Sequence, residues 1–404
     1  MSSRAAPPAS LCVVPWIHAF IETTGDVRLC CVARGENSIV GNAHRESIIK
    51  IFHSNKMAGI RQQMLQGEWP EDCAYCQQRE AMHLESYRQH SNQRSPIYFE
   101  ALASGVTPFP PRIHTIDLRL NNICNFKCRS CSGFASDRWF REHNLIYPEN
   151  KISVKFAGLK DEHSFWEDFD RDIIGDLEEV NLAGGEPLIM NSHYLLLEKL
   201  IAAGKTGVHL RYDTNLSHLR FKHWDVIDLW KKFPNLTVSM SLDGTGEKGE
   251  YIREGLDYGK WTENVRRLKH ELPHAHRCIH FVVSIFNVID FSEHYRTMVE
   301  GDFVGRDAIT FTFLEEPTFL SAQVLKPDLK AAVDSDLREL LASGSDIPGG
   351  VRSQISALIE FVHAKDLYTT HGAVFSLKTR VLDRLRGQNA AELFPALEPM
   401  LNRR

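Results

Sequence analysis

From residue 115 onward, short apolar runs alternate with longer amphipathic stretches. The runs 115–121, 179–183, 208–213, 236–242, 278–285 and 308–314 are strand-length and rich in Val, Ile, Leu and Phe, as buried parallel strands are. Between them, apolar residues recur at helical spacing over 133–143, 193–203, 222–233, 261–271 and 294–301. Six β/α units in succession predict an α/β fold: a parallel sheet with helices outside, curved into a partial barrel. Ligand chemistry in such sheets gathers at the C-terminal ends of the strands. Beyond the last strand, 325–343, 351–362 and 376–386 read as helices, a C-terminal extension that caps the barrel, contacts substrate or simply packs beside it. The pattern divides the chain into an N-terminal cysteine-bearing module (1–95), a connector (96–112), the barrel (113–320) and the helical extension (321–404).

Composition narrows the function. A hydrophobic fraction of 43% and a charged fraction of 25% are those of an ordinary globular protein. The net charge of -5 gives no general attraction to nucleic acid or to an anionic membrane. No apolar run is long enough for a membrane span. Pro15 and His18 interrupt the only apolar N-terminal stretch, so no signal peptide is expected and a cytoplasmic location is. In that setting nine cysteines point to metal or redox chemistry rather than to disulfide bridges.

The chemistry-bearing motifs sit at strand ends. Cys124, Cys128 and Cys131, spaced CxxxCxxC, follow the first strand candidate. Three thiolates on one loop can hold three irons of a [4Fe–4S] cluster and leave the fourth open to a small ligand. A zinc site would want four closed ligands. The second strand candidate ends in Gly184-Gly185-Glu186-Pro187, where two glycines let a ligand approach the backbone. The third ends at Asn215, and the fourth at Ser241 and Asp243, with Arg253 following. Short amide, hydroxyl and carboxylate groups suit ribose hydroxyls, and a guanidinium suits a carboxylate.

This combination resembles the radical S-adenosylmethionine (radical SAM) superfamily. The resemblance implies that Cys124, Cys128 and Cys131 ligate a [4Fe–4S] cluster. It places Gly184, Gly185 and Glu186 at the amino group of S-adenosylmethionine, and Asn215, Ser241, Asp243 and Arg253 around its ribose and methionine portions. One departure is visible. Many members carry an aromatic residue just before the third cysteine, where this chain has Arg129 and Ser130. That leaves the adenine contact to Phe126 or to an apolar residue of the fifth strand, such as Val283 or Ile285.

A second cysteine set precedes the barrel. Cys12, a glycine turn at Gly25, Cys30, and then Cys73 and Cys76 as a CxxC supply four thiolates, enough for a second [4Fe–4S] cluster or a structural zinc. The order resembles the SPASM/twitch class of auxiliary-cluster modules, placed here ahead of the barrel. Cys31 is the adjacent alternative to Cys30, and His18 reads as a packed or hydrogen-bonded residue. Cys278, the remaining cysteine, is either a plain buried thiol or a hydrogen-atom donor to a substrate radical.

The resemblance implies reductive cleavage of S-adenosylmethionine, hydrogen abstraction by the resulting 5′-deoxyadenosyl radical, and oxidative modification of a ribosomal peptide or protein side chain. A small-molecule (sugar or aminocyclitol) dehydrogenase or epimerase is the alternative enzyme, and an iron–sulfur electron carrier the non-enzymatic one. A flavodoxin or ferredoxin is the implied electron donor.

Overall fold

The computed structural model describes residues 7–33, 35–82, 85–105, 109–152, 158, 164–343 and 346–402. The chain forms two compact units. The first comprises Met1–Asn122, Phe156–Arg211 and Lys232–Asn235; the second comprises Ile123–Lys155, Tyr212–Lys231 and Leu236–Arg404.

The first unit is built on a mixed sheet. Strands β1 (His18–Ile21) and β2 (Asp26–Arg28) form an antiparallel hairpin, and β3 (Ile39–Asn42) pairs with β2. The hairpin turns at Gly25, whose φ of +84 lies in the left-handed region. Its amide donates to Glu22 O at 2.8 Å, and an added Cβ would lie 2.4 Å from the His44 ring. Only glycine fits that turn. On its other side β1 pairs in parallel with β4 (Thr115–Leu118), His18 opposite Thr115, and β4 pairs in parallel with β5 (Glu179–Leu182). The first strand of the cysteine-bearing segment and the first barrel strand are thus neighbours in one sheet. Helices α1 (Asn55–Leu65), α2 (Ala74–Ala81), α3 (Tyr87–Arg94) and α4 (Pro96–Ala103) complete the N-terminal part. Ser86 and Gln89 form a reciprocal capping box at the start of α3, satisfying two otherwise orphaned donors.

Strand β6 (His209–Thr214) begins in the first unit and ends in the second. The second unit continues with β7 (Leu236–Ser241), β8 (His276–Val283) and β9 (Ile309–Phe313), paired in parallel in that order. Strands β4 to β9 fall where the apolar runs predicted them. Helices α5 (Phe140–Ile146), α6 (Asn191–Ala202), α7 (Gly246–Ile252), α8 (Tyr258–Glu271) and α9 (Phe291–Glu300) alternate with them. Helix α8 shows why: the Asp257 side chain caps Lys260 N, Trp261, Val265 and Leu268 are buried, and the helix stops just before Pro273. Helices α10 (Pro327–Ala342), α11 (Gly349–Ala364) and α12 (Tyr368–Arg386) follow; α10 falls within its predicted bounds, and α11 and α12 are longer than their apolar spacing alone predicted. Gly387, left-handed at φ 65, ends α12.

Two predicted helices are shorter in the structure. The helix expected over 133–143 starts only at a 3₁₀ turn, Asp137–Trp139, and continues as α5. The residues before it are spent on a turn, in which Ala135 and Ser136 amides donate to Ser132 O and Ser136 Oγ donates to Phe126 O at 2.7 Å. The helix expected over 222–233 contracts to Val226–Trp230, because Arg220–Phe221 and Trp224–Asp225 pair as a small hairpin ahead of it.

Two glycines make opposite predictions. Gly25→Ala is expected to cost about 1–2 kcal/mol from its left-handed backbone alone, with the clash against His44 added. Gly59, inside α1 with open space where its Cβ would go, is expected to gain roughly 0.5–1 kcal/mol as Ala. Thermal unfolding followed by circular dichroism checks both.

Candidate active site: a latched cysteine loop

The loop 123–131 belongs to the second unit, and its three cysteines are half-buried. Phe126 N donates to Cys124 Sγ at 3.4 Å, and Cys131 N donates to Cys128 O at 3.0 Å. A buried guanidinium, Arg253 Nη1, lies 3.7 Å from Cys128 Sγ. Burial pushes the Cys131 thiol up to about 12, with the adjacent Cys128 adding to the rise. Burial likewise raises Cys128, against the opposing charge of Arg253. The set fits an iron–sulfur cluster: three soft donors on one loop, already served by an N–H and a cation, whose acidity rises sharply once a metal displaces their protons.

The loop is held from both sides. Lys127–Cys128 pairs antiparallel with Arg253–Glu254. On the other flank stands α12. Arg129, its side chain 1% exposed, pairs with Asp383 at 2.5 Å, donates to Gln388 Oε1 at 2.7 Å, and lies with its Cζ 3.7 Å from the centre of the Tyr251 ring. Tyr251 Oη donates to the same Asp383 oxygen at 2.8 Å. Three residues along α12, the fully buried Arg386 donates to Lys127 O at 2.8 Å and pairs with Glu142 and Glu254 at 2.6 and 2.9 Å. Trp139 Nε1 donates to Cys128 O at 2.9 Å, and Arg386 lies over the Trp139 ring. Arg129 stands where the resemblance leads one to look for an aromatic residue. Here that position ties the loop to the C-terminal helices.

The predicted strand-end residues are placed as follows. Asn215 donates to Asn125 Oδ1 at 3.0 Å, so the end of β6 is bonded to the cysteine loop itself. Ser241 closes β7 half-buried. Asp243 accepts from Val282 N at 3.0 Å and pairs with Arg253 at 2.9 Å, which brings two predicted ligand-binding residues onto each other. Phe126, Val283 and Ile285 are all buried in the second unit. In the first unit, Gly184 and Gly185 both have positive φ (73 and 55), and the buried Glu186 accepts from Leu188 N at 3.0 Å. Cys278 is half-buried on β8, its Sγ 3.9 Å from Val238 O.

Cys12, Cys30, Cys73 and Cys76 line one small apolar cavity of the first unit, together with Trp69, Tyr87 and Arg88. Burial, with Cys73 and Cys76 nearby, pushes the Cys12 thiol up to about 12. Four soft donors around one pocket are a donor set that suits an iron–sulfur cluster. Among the described residues no group of three or more His, Cys, Asp or Glu side chains is drawn together around a single-ion position. Cys31 is exposed and lies outside this lining. His18 lies outside it too: its Nδ1 is 2.8 Å from Thr115 Oγ1, and burial lowers its pKa to about 4.

Asp383, Arg386, Tyr251 and Asn125 were missed by sequence reasoning. The available signals were a charged residue inside the cysteine motif and an acid and a base in the last turn of a distant helix.

Residues 118–298 match the model of the Radical SAM superfamily, and residues 12–77 match SPASM, an iron-sulfur cluster-binding domain. The chain thus contains a radical SAM domain, with a SPASM-type module ahead of it. The cofactors these domains imply are iron–sulfur clusters and S-adenosylmethionine. No curated protein matches the chain. Similar solved structures include native anSMEcpe with bound AdoMet, at 18% identity and a TM-score of 0.40 over 57% of this chain and 61% of that one. SuiB of Streptococcus suis bound to S-adenosylmethionine is similar at 13% identity and a TM-score of 0.37, over 74% of this chain and 61% of that one. TYW1 with a lysine-pyruvate adduct bound is similar at 14% identity and a TM-score of 0.29, over 57% of this chain and 72% of that one. The chain thus spans about three fifths of the first two of these structures.

Two experiments probe the sites. Arg129→Ala strips Asp383 of its cation and should cost about 3–5 kcal/mol in thermal unfolding, with Arg129→Lys recovering only part. A Cys124/Cys128/Cys131→Ala triple variant, reconstituted anaerobically, should retain about four irons in the N-terminal set. Zinc there instead, or no metal, would assign Cys12, Cys30, Cys73 and Cys76 a structural role.

Proposed function

We propose that this chain is a radical SAM oxidoreductase that oxidatively modifies a peptide or protein side chain. The observation that carries the reading is the cysteine loop: three thiols on one segment, braced on both flanks, with Cys131 lining a solvent-open cavity of ≈ 600 Å³. In this reading Cys124, Cys128 and Cys131 hold the [4Fe–4S] cluster to which S-adenosylmethionine is bound. By motif, Gly184, Gly185, Glu186, Asn215, Ser241, Asp243 and Arg253 serve S-adenosylmethionine. When bound, the pair supplies a carbon-centred radical able to take hydrogen from an unactivated C–H bond.

The chain's own residues position and shield. Arg253 sets a fixed positive charge beside Cys128, and Asp243 holds that charge in place. Phe126 and Trp139, both buried, keep water from the loop's inner side. The cavity beside Cys131 offers Phe134, Tyr147 and Phe319 as apolar walls, with Lys378, Glu149 and Glu316 as polar groups. Its size suits a bulky side chain, and its openness leaves room for flanking main chain. Cys12, Cys30, Cys73 and Cys76 hold a second cluster, a destination for the electron that an oxidation releases.

Anaerobic protein with S-adenosylmethionine and dithionite should form 5′-deoxyadenosine, and Cys128→Ala should abolish it. Undiminished formation in that variant would overturn the assignment. Iron–sulfur protein that forms none would be an electron carrier. Cys73→Ala is expected to keep forming 5′-deoxyadenosine while losing substrate turnover, with an unchanged melting temperature separating this from a folding defect.

A further inference from the structure

The two helices that flank the cysteine loop sort their charges by side. On α5, Glu142 points inward to Lys127 and Arg386; on α12, Asp383 points inward to Arg129 and Tyr251. The arginines on the opposite side of these helices, and in the turn leading into α5, face outward. Arg138, Arg141, Arg380 and Arg384 are exposed, and among the described residues none of the four takes part in an ion pair. With them stand two exposed apolar side chains, Leu145 on α5 (62%) and Leu377 on α12 (57%). A positive surface with an apolar component is thus concentrated on one region of a protein whose net charge is -5.

That surface lies close to the thiols. Trp139, Ile146 and Leu382 form a small buried cluster against which Cys131 and Val381 pack, so one layer of side chains separates the outer faces of α5 and α12 from a cysteine of the loop. Trp139 in that layer also bonds the Cys128 carbonyl. Helix α5 lies within the matched residues 118–298 and α12 beyond them, so this face joins the matched domain to the chain's own extension.

Resting on the radical SAM reading above, we propose that the α5–α12 face is the docking surface for an acidic one-electron carrier protein of the flavodoxin or ferredoxin type. The reduced carrier loses one electron, and the cluster held by Cys124, Cys128 and Cys131 gains it; no atom is transferred. Unpaired guanidinium groups attract an acidic partner and orient it, while Leu145 and Leu377 give the encounter an apolar contact. The cavity beside Cys131 is lined by His143 of α5 and by His371, Val374 and Lys378 of α12, so it opens beside this face.

The test compares two reductants. Dithionite is small and needs no docking surface; flavodoxin, kept reduced by its NADPH-dependent reductase, does. Arg138→Glu/Arg141→Glu places acids at a helix start, where they favour the helix. Arg380→Gln/Arg384→Gln is a milder second variant. For both, 5′-deoxyadenosine formation with dithionite should match the wild type. The KM for flavodoxin should rise by about tenfold or more in the charge-reversed protein, with kcat at saturating carrier little changed. Added salt should weaken the wild-type carrier response and leave the reversed variant nearly indifferent. Carrier kinetics that ignore both substitutions, in protein active with dithionite, would overturn the docking surface alone. A rise in the KM for a peptide substrate, without change for flavodoxin, would overturn it in favour of a substrate-binding face. Wild-type protein that makes no 5′-deoxyadenosine with dithionite overturns the functional reading, and the docking proposal with it.

Discussion

A buried cation, Arg129, decides how the cysteine loop is held. Taking a guanidinium out of water costs several kcal/mol, and the cost is recovered only when its donors are met and its face is covered. Asp383 and Gln388 meet the donors, and the Tyr251 and Phe286 rings lie against the guanidinium. Each partner is then committed in turn. Asp383 also accepts from Tyr251 Oη and Ala390 N, so it fixes both α7 and the chain beyond α12. Because each group is costly to leave unpaired, the network favours one arrangement of the loop over neighbouring ones.

The second buried cation extends the same logic. Arg386 sits between two carboxylates, Glu142 and Glu254, which also share Lys127. Two acids and two bases in contact balance in formal charge, and Arg386 among them still favours the Cys128 and Cys131 thiolates. The nearest influences on the sulfurs are local: Arg253, itself paired with Asp243, and the Phe126 amide. The loop's electrostatics are set chiefly by its own strand partner, while its position is set by α12.

Much of the barrel was legible because buried parallel strands leave a plain apolar trace. The runs around Ile116, Val180, Val238, Ile279 and Ile309 mark strands in the structure to within a few residues. The helix expected from Gly133 failed because turn bonds at Ser132 compete with helix formation, and apolar spacing does not register them. The motif cysteines were equally readable, since thiols in tight spacing have few other uses. The braces were not. Arg129, Asp383 and Arg386 are ordinary charged residues in sequence, and a pairing between positions 254 residues apart leaves no periodic mark. Nor did spacing reveal that His18 in β1 would lie opposite Thr115 of the first barrel strand.

That same separation has a consequence for how the protein is made. The ribosome completes the cysteine loop long before it delivers Asp383, 254 residues later. Until α12 emerges, the loop has its local bonds and those to Asn215 and Arg253–Glu254, and lacks the brace on its other flank. Through that interval it is held on one flank only, and its α12 side is open to whatever delivers iron and sulfide. Closure of the latch then fixes whatever geometry has been reached. A chain that stopped at residue 298, where the barrel match ends, would keep every thiol of both sets and lack α12 altogether.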